Sequence, residues 1–161
     1  MAKYTHQTAP TQFLEANGIR FAYRRFGKSN GVPAVFNQHY PGTMDYRSPT
    51  VTDGLAGDRE VILFNNAGVS AAPAKFRRRS SRCARTPSPS SRSWAYYLKT
   101  INQPTLVVNG SNGVIMPTVN SFIMQQDMPN AQLIIYHDSN HGAHHQYPEL
   151  FVEHATLFLN A

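Results

Sequence analysis

The chain has 161 residues, a formal net charge of +6 at pH 7 and a hydrophobic fraction of 41%. This length allows one domain with a buried core and is too short for two domains of ordinary size. Cys83 is the single cysteine, which excludes an internal disulfide framework and fits a reducing compartment. No run approaches the roughly 18 to 20 apolar residues that cross a bilayer, and the first residues contain no apolar signal core. We therefore expect a cytoplasmic protein with no membrane association.

The positive charge is concentrated in one segment. Residues 75–92 contain seven basic residues and no acidic residue, which leaves 8 basic and 9 acidic residues in the rest of the chain. The wider segment at 70–93 is rich in Arg, Ser, Pro and Ala and has no apolar period typical of a strand or a helix. This composition predicts an irregular basic loop within a single domain that spans residues 1–161.

An antiparallel hairpin is predicted first in the chain, because Asn17-Gly18 separates the apolar segments at 13–16 and 19–26. Residues 32–37 are apolar at successive positions, as in a strand inside a parallel sheet. A helix follows at 44–56 with Pro49 in its first turn. Residues 61–64 form another short strand.

Regular structure is predicted again after the basic loop. In order, the sequence indicates a short helix at 94–98, a strand at 105–109, a helix from 117, a strand at 133–136 and a helix at 147–159. The apolar face predicted for the last helix consists of Leu150, Phe151, His154, Leu157 and Phe158. This alternation predicts an α/β fold of about six strands, with the N-terminal antiparallel hairpin followed by parallel strands and flanking helices.

Two short motifs follow predicted strands. His39-Tyr40-Pro41-Gly42 comes after the strand at 32–37, and Asn140-His141-Gly142 lies between the last strand and the last helix. In the order of these motifs the chain resembles the α/β-hydrolase family, in its branch of small esterases, lactonases and haloperoxidase-like enzymes. The resemblance implies that the backbone N–H of Tyr40 is an oxyanion donor. It also implies that His141 descends from the general base.

The other parts of the family's catalytic site are altered in this sequence. The orienting acid of the family would match Gly113, so its carboxylate is missing. Asp138 lies three residues before His141 and is a candidate substitute, although a loop aspartate more commonly stabilises a turn. No Gly-x-Ser-x-Gly pentapeptide occurs. Ser70 and Ser111 remain as candidate nucleophiles.

The resemblance indicates an internal truncation, because the segment at 74–93 stands where the family places the nucleophile strand, its helix, a further strand and the cap. The expected function is ancestral or residual hydrolysis of a small carboxylic ester or lactone. The alternative is a catalytically inactive remnant, or a binding module whose Arg/Ser tract contacts a protein or binds nucleic acid weakly and non-specifically. Loss of central strands exposes sheet edges, which predicts a closed-up sheet or a homodimer through those edges.

A group of histidines near the C-terminal end is the remaining feature with ligand chemistry. His137, His141, His144 and His145 carry imidazoles that bind divalent metals when neutral. Their close spacing in one loop argues against a built metal site. The sequence therefore predicts neither a metal site nor a cofactor.

Overall fold

The computed structural model describes residues 4–16, 18–29, 31–39, 42–66, 69 and 96–161. The predictions made for Tyr40, for Ser70 and for the irregular loop at 70–93 fall outside these residues. The contacts of the chain divide it into two compact units. The first contains Met1–Arg79 and Pro148–Asn160, and the second contains Ser80–Tyr147 and Ala161.

The described elements are strands, α-helices and one 3₁₀ turn. In chain order they are β1 (Gln12–Ala16), β2 (Ile19–Gly27), β3 (Ala34–Phe36), a 3₁₀ turn (Met44–Tyr46), α1 (Pro49–Ala56), β4 (Glu60–Phe64), β5 (Thr105–Gly110), α2 (Thr118–Asp127), β6 (Ala131–Tyr136), α3 (Ala143–Gln146) and α4 (Pro148–Leu159). Among the described helices, none combines the length and the apolarity that a bilayer crossing requires.

A four-stranded sheet with the order β1-β2-β4-β3 forms the first unit. The predicted hairpin is confirmed, because Ala16 pairs with Ile19 across a two-residue turn. Gly18 in that turn has a φ of +73°, which glycine adopts without steric cost. β2 pairs antiparallel with β4, and β3 pairs parallel with β4. β3 is the last strand of the described sheet, and Val35 is 53% exposed, whereas the sequence predicted a strand inside a parallel sheet.

The core of the first unit lies between its sheet and α1. Its buried apolar residues include Ala22, Phe26, Met44, Val51, Leu55, Val61, Leu63 and Ala155. The predicted helix at 44–56 is divided in the structure, because Pro49 begins α1 at its first turn and the 3₁₀ turn precedes it. α1 and α4 approach closely at Gly54, where a Cβ atom would lie 2.8 Å from Cγ1 of Val152.

The apolar face predicted for α4 is only partly correct. Phe151 packs against the core, but Leu150 and Leu157 are 40% and 66% exposed. The reason is that α4 contacts α1 at Val152. The side of α4 that faces the core therefore contains Val152 and Ala155, which are three residues apart.

β5 and β6 form a parallel two-stranded sheet in the second unit, with Thr105 paired to Ala131 and Gly110 paired to Tyr136. α2 packs against both strands. The α/β class is therefore confirmed, and all six predicted strands are present among the described residues. The six described strands belong to two sheets, one of four strands and one of two.

Candidate functional site

The turn after β5 is fixed by the side chain of Asn109, which is only 3% exposed. Its amide nitrogen donates to the carbonyl oxygen of Met116 at 3.1 Å and to the hydroxyl oxygen of Ser121 at 3.0 Å. Its amide oxygen accepts the backbone N–H of Gly110 at 2.8 Å. One buried side chain therefore holds the end of β5, the loop that follows and α2 in a single arrangement.

The loops that follow β5 and β6 are joined by backbone hydrogen bonds. The N–H of Ser111 donates to the carbonyl of Tyr136 at 2.9 Å, and the N–H of Asn112 donates to the carbonyl of Ser139 at 2.8 Å. Glycine is required at position 110, because a Cβ atom there would overlap the carbonyl oxygen of Ser139. Both loops lie at the carboxyl ends of parallel strands, which is where α/β proteins bind ligands.

His141 is exposed on the loop between β6 and α3. The backbone N–H of the preceding residue, Asn140, donates to Oε1 of Gln146 at 2.9 Å, which ties this loop to α3. His141 is one of the residues that line a cavity of about 320 Å³ beside β5. The other lining residues are Thr105, Leu106, Val107, Val108, Asn109, Met116, Ser121 and Met124. Most of this wall is apolar, with a few polar groups, which is the usual composition of a small-molecule site.

Ser111 and Asp138 lie on the same pair of loops as His141. The hydroxyl of Ser111 donates to Oδ1 of Asn112 at 3.4 Å, and the side-chain nitrogen of Asn112 donates to Oδ1 of Asp138 at 3.1 Å. Asp138 has a φ of +46°, a left-handed conformation that Asp tolerates in turns. Within the described part of the chain, no hydrogen bond or ion pair joins His141 to Ser111 or to Asp138.

Gly113, the position that matches the family's orienting acid, lies in a crowded part of the first loop. A Cβ atom there would overlap the carbonyl oxygen of Met116 and would lie 3.3 Å from Oδ1 of Asn109 and Oγ1 of Thr118. Its backbone N–H donates to the same Thr118 hydroxyl at 3.3 Å, and that hydroxyl donates to the carbonyl of Gly110 at 2.6 Å. The loop is therefore built around the absence of a side chain at this position.

The His39–Gly42 turn belongs to the first unit and is described at its two ends. The N–H of Gly42 donates to the carbonyl oxygen of His39 at 2.6 Å. The buried side chain of Asn65 supports the next residues by accepting the N–H of Met44 at 2.8 Å. Tyr40 itself lies outside the described residues, so its assignment as an oxyanion donor stays a prediction.

The histidines after β6 are not gathered into a metal site. The rings of His144 and His145 are 4.1 Å apart at their centroids. In the ranges that the structure describes, no group of three or more His, Cys, Asp or Glu side chains is arranged to hold a metal ion.

Asn109, Asn112 and Ser121 organise this region, and none of them was among the predicted site residues. Asn109 and Asn112 stand directly beside Gly110 and Gly113, so the Asn-Gly pattern after a strand is the signal that indicates their role in a turn. Ser121 carries no comparable signal, because a serine within a helix is more commonly exposed. Its contact with Asn109 depends on how α2 packs on β5.

Comparison with known proteins gives matches of three kinds. The family model Abhydrolase_4, described as TAP-like protein, matches residues 69–160. A pimeloyl-[acyl-carrier protein] methyl ester esterase of Nitrosomonas europaea is 36% identical over 55 residues, and the match covers 34% of this chain and 22% of that esterase. An α/β-hydrolase fold protein from Chitinophaga pinensis has a TM-score of 0.81 at 22% identity, covering 98% of this chain and 100% of that one. A predicted CIB-like hydrolase from Thermoplasma acidophilum has a TM-score of 0.72 at 17% identity, covering 94% of this chain and 97% of that one.

The structural matches show the fold, and the family model identifies the lineage. The matched segment contains β5, β6 and the loop that carries His141. It includes more than half of the 161 residues. The chain therefore belongs to the α/β-hydrolase family of TAP-like proteins.

Proposed function

We propose that this protein hydrolyses a carboxylic ester or a lactone of a small substrate, with His141 as the general base. The observation that carries the proposal is the position of His141, an exposed residue that lines a largely apolar cavity along β5. Membership of the α/β-hydrolase family supports the reaction class. The partial match to a methyl ester esterase supports an ester as the scissile group.

The proposed reaction follows the acyl-transfer chemistry of a serine nucleophile. A serine hydroxyl oxygen attacks the carbonyl carbon of the substrate while the imidazole of His141 accepts the hydroxyl proton. The oxyanion is stabilised by a backbone N–H donor, the role predicted for Tyr40, and the imidazolium returns the proton to the departing alcohol. Water then attacks the carbonyl carbon of the acyl-enzyme, with His141 again accepting the proton, and the acid and the free serine are released. We propose Ser70 or Ser111 as the nucleophile.

The expected turnover is low because the carboxylate that orients the histidine is missing at Gly113. Loss of this group lowers kcat by about 10⁴-fold in serine hydrolases with a complete triad. The hydroxyl of Ser111 is directed at Asn112, so its attack requires rotation away from that partner. The activity assay therefore needs an activated ester as substrate.

The test compares hydrolysis of p-nitrophenyl acetate and butyrate by the wild type and by His141→Ala. The matched control is His145→Ala, since His145 is also exposed and lies four residues further along the same segment. We expect His141→Ala to lose the activity and His145→Ala to retain it. Equal rates in all three proteins would remove His141 from the mechanism.

The nucleophile is identified by labelling with a fluorophosphonate and mapping the modified residue. Labelling of Ser70→Ala and Ser111→Ala then identifies the nucleophile, because labelling is lost only in the variant that lacks the reacting serine. Labelling at a third serine would show that the proposed nucleophiles are both wrong.

The basic tract supports a second proposal, weak and non-specific binding of nucleic acid. Residues 75–92 carry seven positive charges and no negative charge. If all seven contact phosphates of a single strand, the logarithm of the affinity falls with the logarithm of the salt concentration with a slope of about −5. Titration of a random oligonucleotide at several salt concentrations tests this. Affinity that does not change with salt would exclude the tract as the binding element.

A further inference from the structure

The cavity beside β5 follows one edge of that strand. Five consecutive residues, Thr105 to Asn109, line it. Because successive side chains of a strand point to opposite faces, a cavity lined by every residue in turn runs along the strand's edge. The other edge of β5 is occupied by β6.

The hydrogen bonds to β6 establish which backbone groups face the cavity. The N–H of Thr105 donates to the carbonyl of Asn130, and the N–H of Ser111 donates to the carbonyl of Tyr136. In a parallel ladder these groups alternate, so positions 105, 107 and 109 bond to β6 and positions 106, 108 and 110 face the opposite edge. Within the described ranges, the N–H and C=O groups of Leu106 and Val108 have no hydrogen-bond partner.

This edge is closed at both ends by the protein itself. At one end, the N–H of Gly110 donates to the side chain of Asn109, and its carbonyl accepts the hydroxyl of Thr118. At the other end stands Pro104, which has no N–H to donate. The open part of the edge is therefore limited to the backbone groups of Leu106 and Val108.

We propose that this edge pairs with the same edge of a second copy of the chain, antiparallel and related by a two-fold axis at Val107, in competition with a substrate bound in the same cavity. In that register Leu106 of each copy lies opposite Val108 of the other. Each such pair exchanges two N–H···O=C bonds, so the two pairs form four bonds between the copies. The next pair outward joins Pro104, which has no N–H, to Gly110, whose N–H and carbonyl are already bonded, and the ladder ends there.

A second copy fits this edge better than a chemically different partner for two reasons. The unpaired groups are their own complement under two-fold symmetry, as an isologous interface requires. The segment from residue 100 to residue 126 also contains no charged side chain, so two copies meet without like-charge repulsion. Edge strands that must stay unpaired usually carry charges or prolines within the strand, and Thr105–Gly110 contains neither.

Symmetric pairing also places α2 of both copies on the same face of the joined sheet. Val119, Phe122 and Ile123 of this helix are 59%, 50% and 46% exposed. Their spacing puts them on one side of α2. Association would bring this apolar surface of each copy to one side of a continuous four-stranded sheet made of two β5 and two β6 strands.

Hydrogen exchange and light scattering on the full chain test the proposal. We expect a mass near twice the 18.0 kDa of the chain at high concentration and a return to the single mass on dilution. The amides of Leu106 and Val108 should exchange more slowly at high concentration only. The amides of Val107 and Asn109, which bond to β6, should be protected at every concentration.

Other results would overturn the proposal in distinguishable ways. Protection of Leu106 and Val108 in a monomer would show that the chain covers its own edge. Rapid exchange of both amides at all concentrations would show that nothing pairs there. Concentration-dependent protection of Leu133 and Ile135 instead would move the interface to the outer edge of β6.

A pair of variants at one position isolates the backbone contribution. Val108→Pro removes an N–H that faces the open edge and leaves the bonds to β6 intact, so we expect a monomer. Val108→Ala shortens the same side chain and keeps the N–H, so we expect the dimer to persist. A dimeric Val108→Pro protein would exclude this register. If the proline variant does not fold, the exchange experiment on the wild type still decides the question.

Discussion

The side chain of Asn112 donates a 3.1 Å hydrogen bond to the carboxylate of Asp138, 26 residues away along the chain. This bond joins the loop after β5 to the loop after β6, beside the backbone bond from Asn112 to Ser139. Asp138 is also the one described non-glycine residue with a positive φ. These contacts indicate that its carboxylate stabilises the turn.

Two substitutions of Asp138 distinguish its role in stabilising the turn from a role of its carboxylate charge in catalysis. Asp138→Ala should lower the free energy of unfolding by about 1–2 kcal/mol, because alanine tolerates the left-handed conformation poorly and the bond to Asn112 is lost. Asp138→Asn keeps a short polar side chain and should retain both the stability and the rate of ester hydrolysis. Urea denaturation and the p-nitrophenyl ester assay measure the two effects. A large fall in kcat for a stable Asp138→Asn protein would instead assign the carboxylate to catalysis.

Restoring the family's acid at Gly113 should fail. The Cβ atom of Gly113→Asp would overlap the carbonyl oxygen of Met116, and overpacking of this kind costs about 1–3 kcal/mol. Gly113→Ala introduces the same Cβ atom without a carboxylate, so it should lose the same stability. Thermal or urea denaturation compares the three proteins. A Gly113→Asp protein with wild-type stability and faster hydrolysis would contradict this account of the loop.

Asn109 should contribute more to stability than an exposed asparagine. Asn109→Ala removes three hydrogen bonds and leaves the buried hydroxyl of Ser121 without its donor, for an expected loss of about 2–3 kcal/mol. The control is Asn130→Ala, since Asn130 is exposed and its side chain makes one bond, to the carbonyl of Asn102. That change should cost within about 0.5 kcal/mol. Equal losses in the two variants would show that Asn109 is not the anchor of the turn.

His6 should make the first unit less stable in acid. Its side chain is 3% exposed, and Nδ1 lies 2.9 Å from the hydroxyl oxygen of Thr52 on α1. Burial lowers the pKa of His6 below 6.5; the positive charge of Arg24 acts in the same direction, and the carboxylates of Asp53 and Asp45 oppose it.

The sign of the pH dependence follows from this lowered pKa. Between about pH 6.5 and the lower pKa of folded His6, the unfolded chain binds a proton at His6 that the folded chain does not, so the folded state loses stability as the pH falls through this range. Above about pH 6.5 the His6 contribution is fully present. Urea denaturation across this range should show a smaller pH dependence in His6→Asn than in the wild type. An identical slope in both proteins would assign the acid sensitivity to other groups.

Local patterns in the sequence were sufficient to predict most of the strands and helices. Asn17-Gly18 sets the first hairpin because a two-residue turn with positive φ needs such residues. The limits of elements were less accurate: the strand predicted at 32–37 is three residues long in the structure, and the helix predicted at 147–159 begins at Pro148 after a separate short helix. The ends of a strand depend on its pairing with neighbouring strands, and a local sequence pattern does not contain that information.

The sequence by itself determined the α/β class, the order of the strands along the chain and the loop that carries His141, because hydrophobic periodicity and turn residues act between neighbours in the chain. Only the tertiary structure decided which polar groups meet in that region. The bonds of Asn109 with Ser121 and of Asn112 with Asp138, and the crowding at Gly113, join residues on different elements. Such contacts form because α2 and two loops pack at one end of β5 and β6, and hydrophobic periodicity does not show which polar side chains that packing brings together.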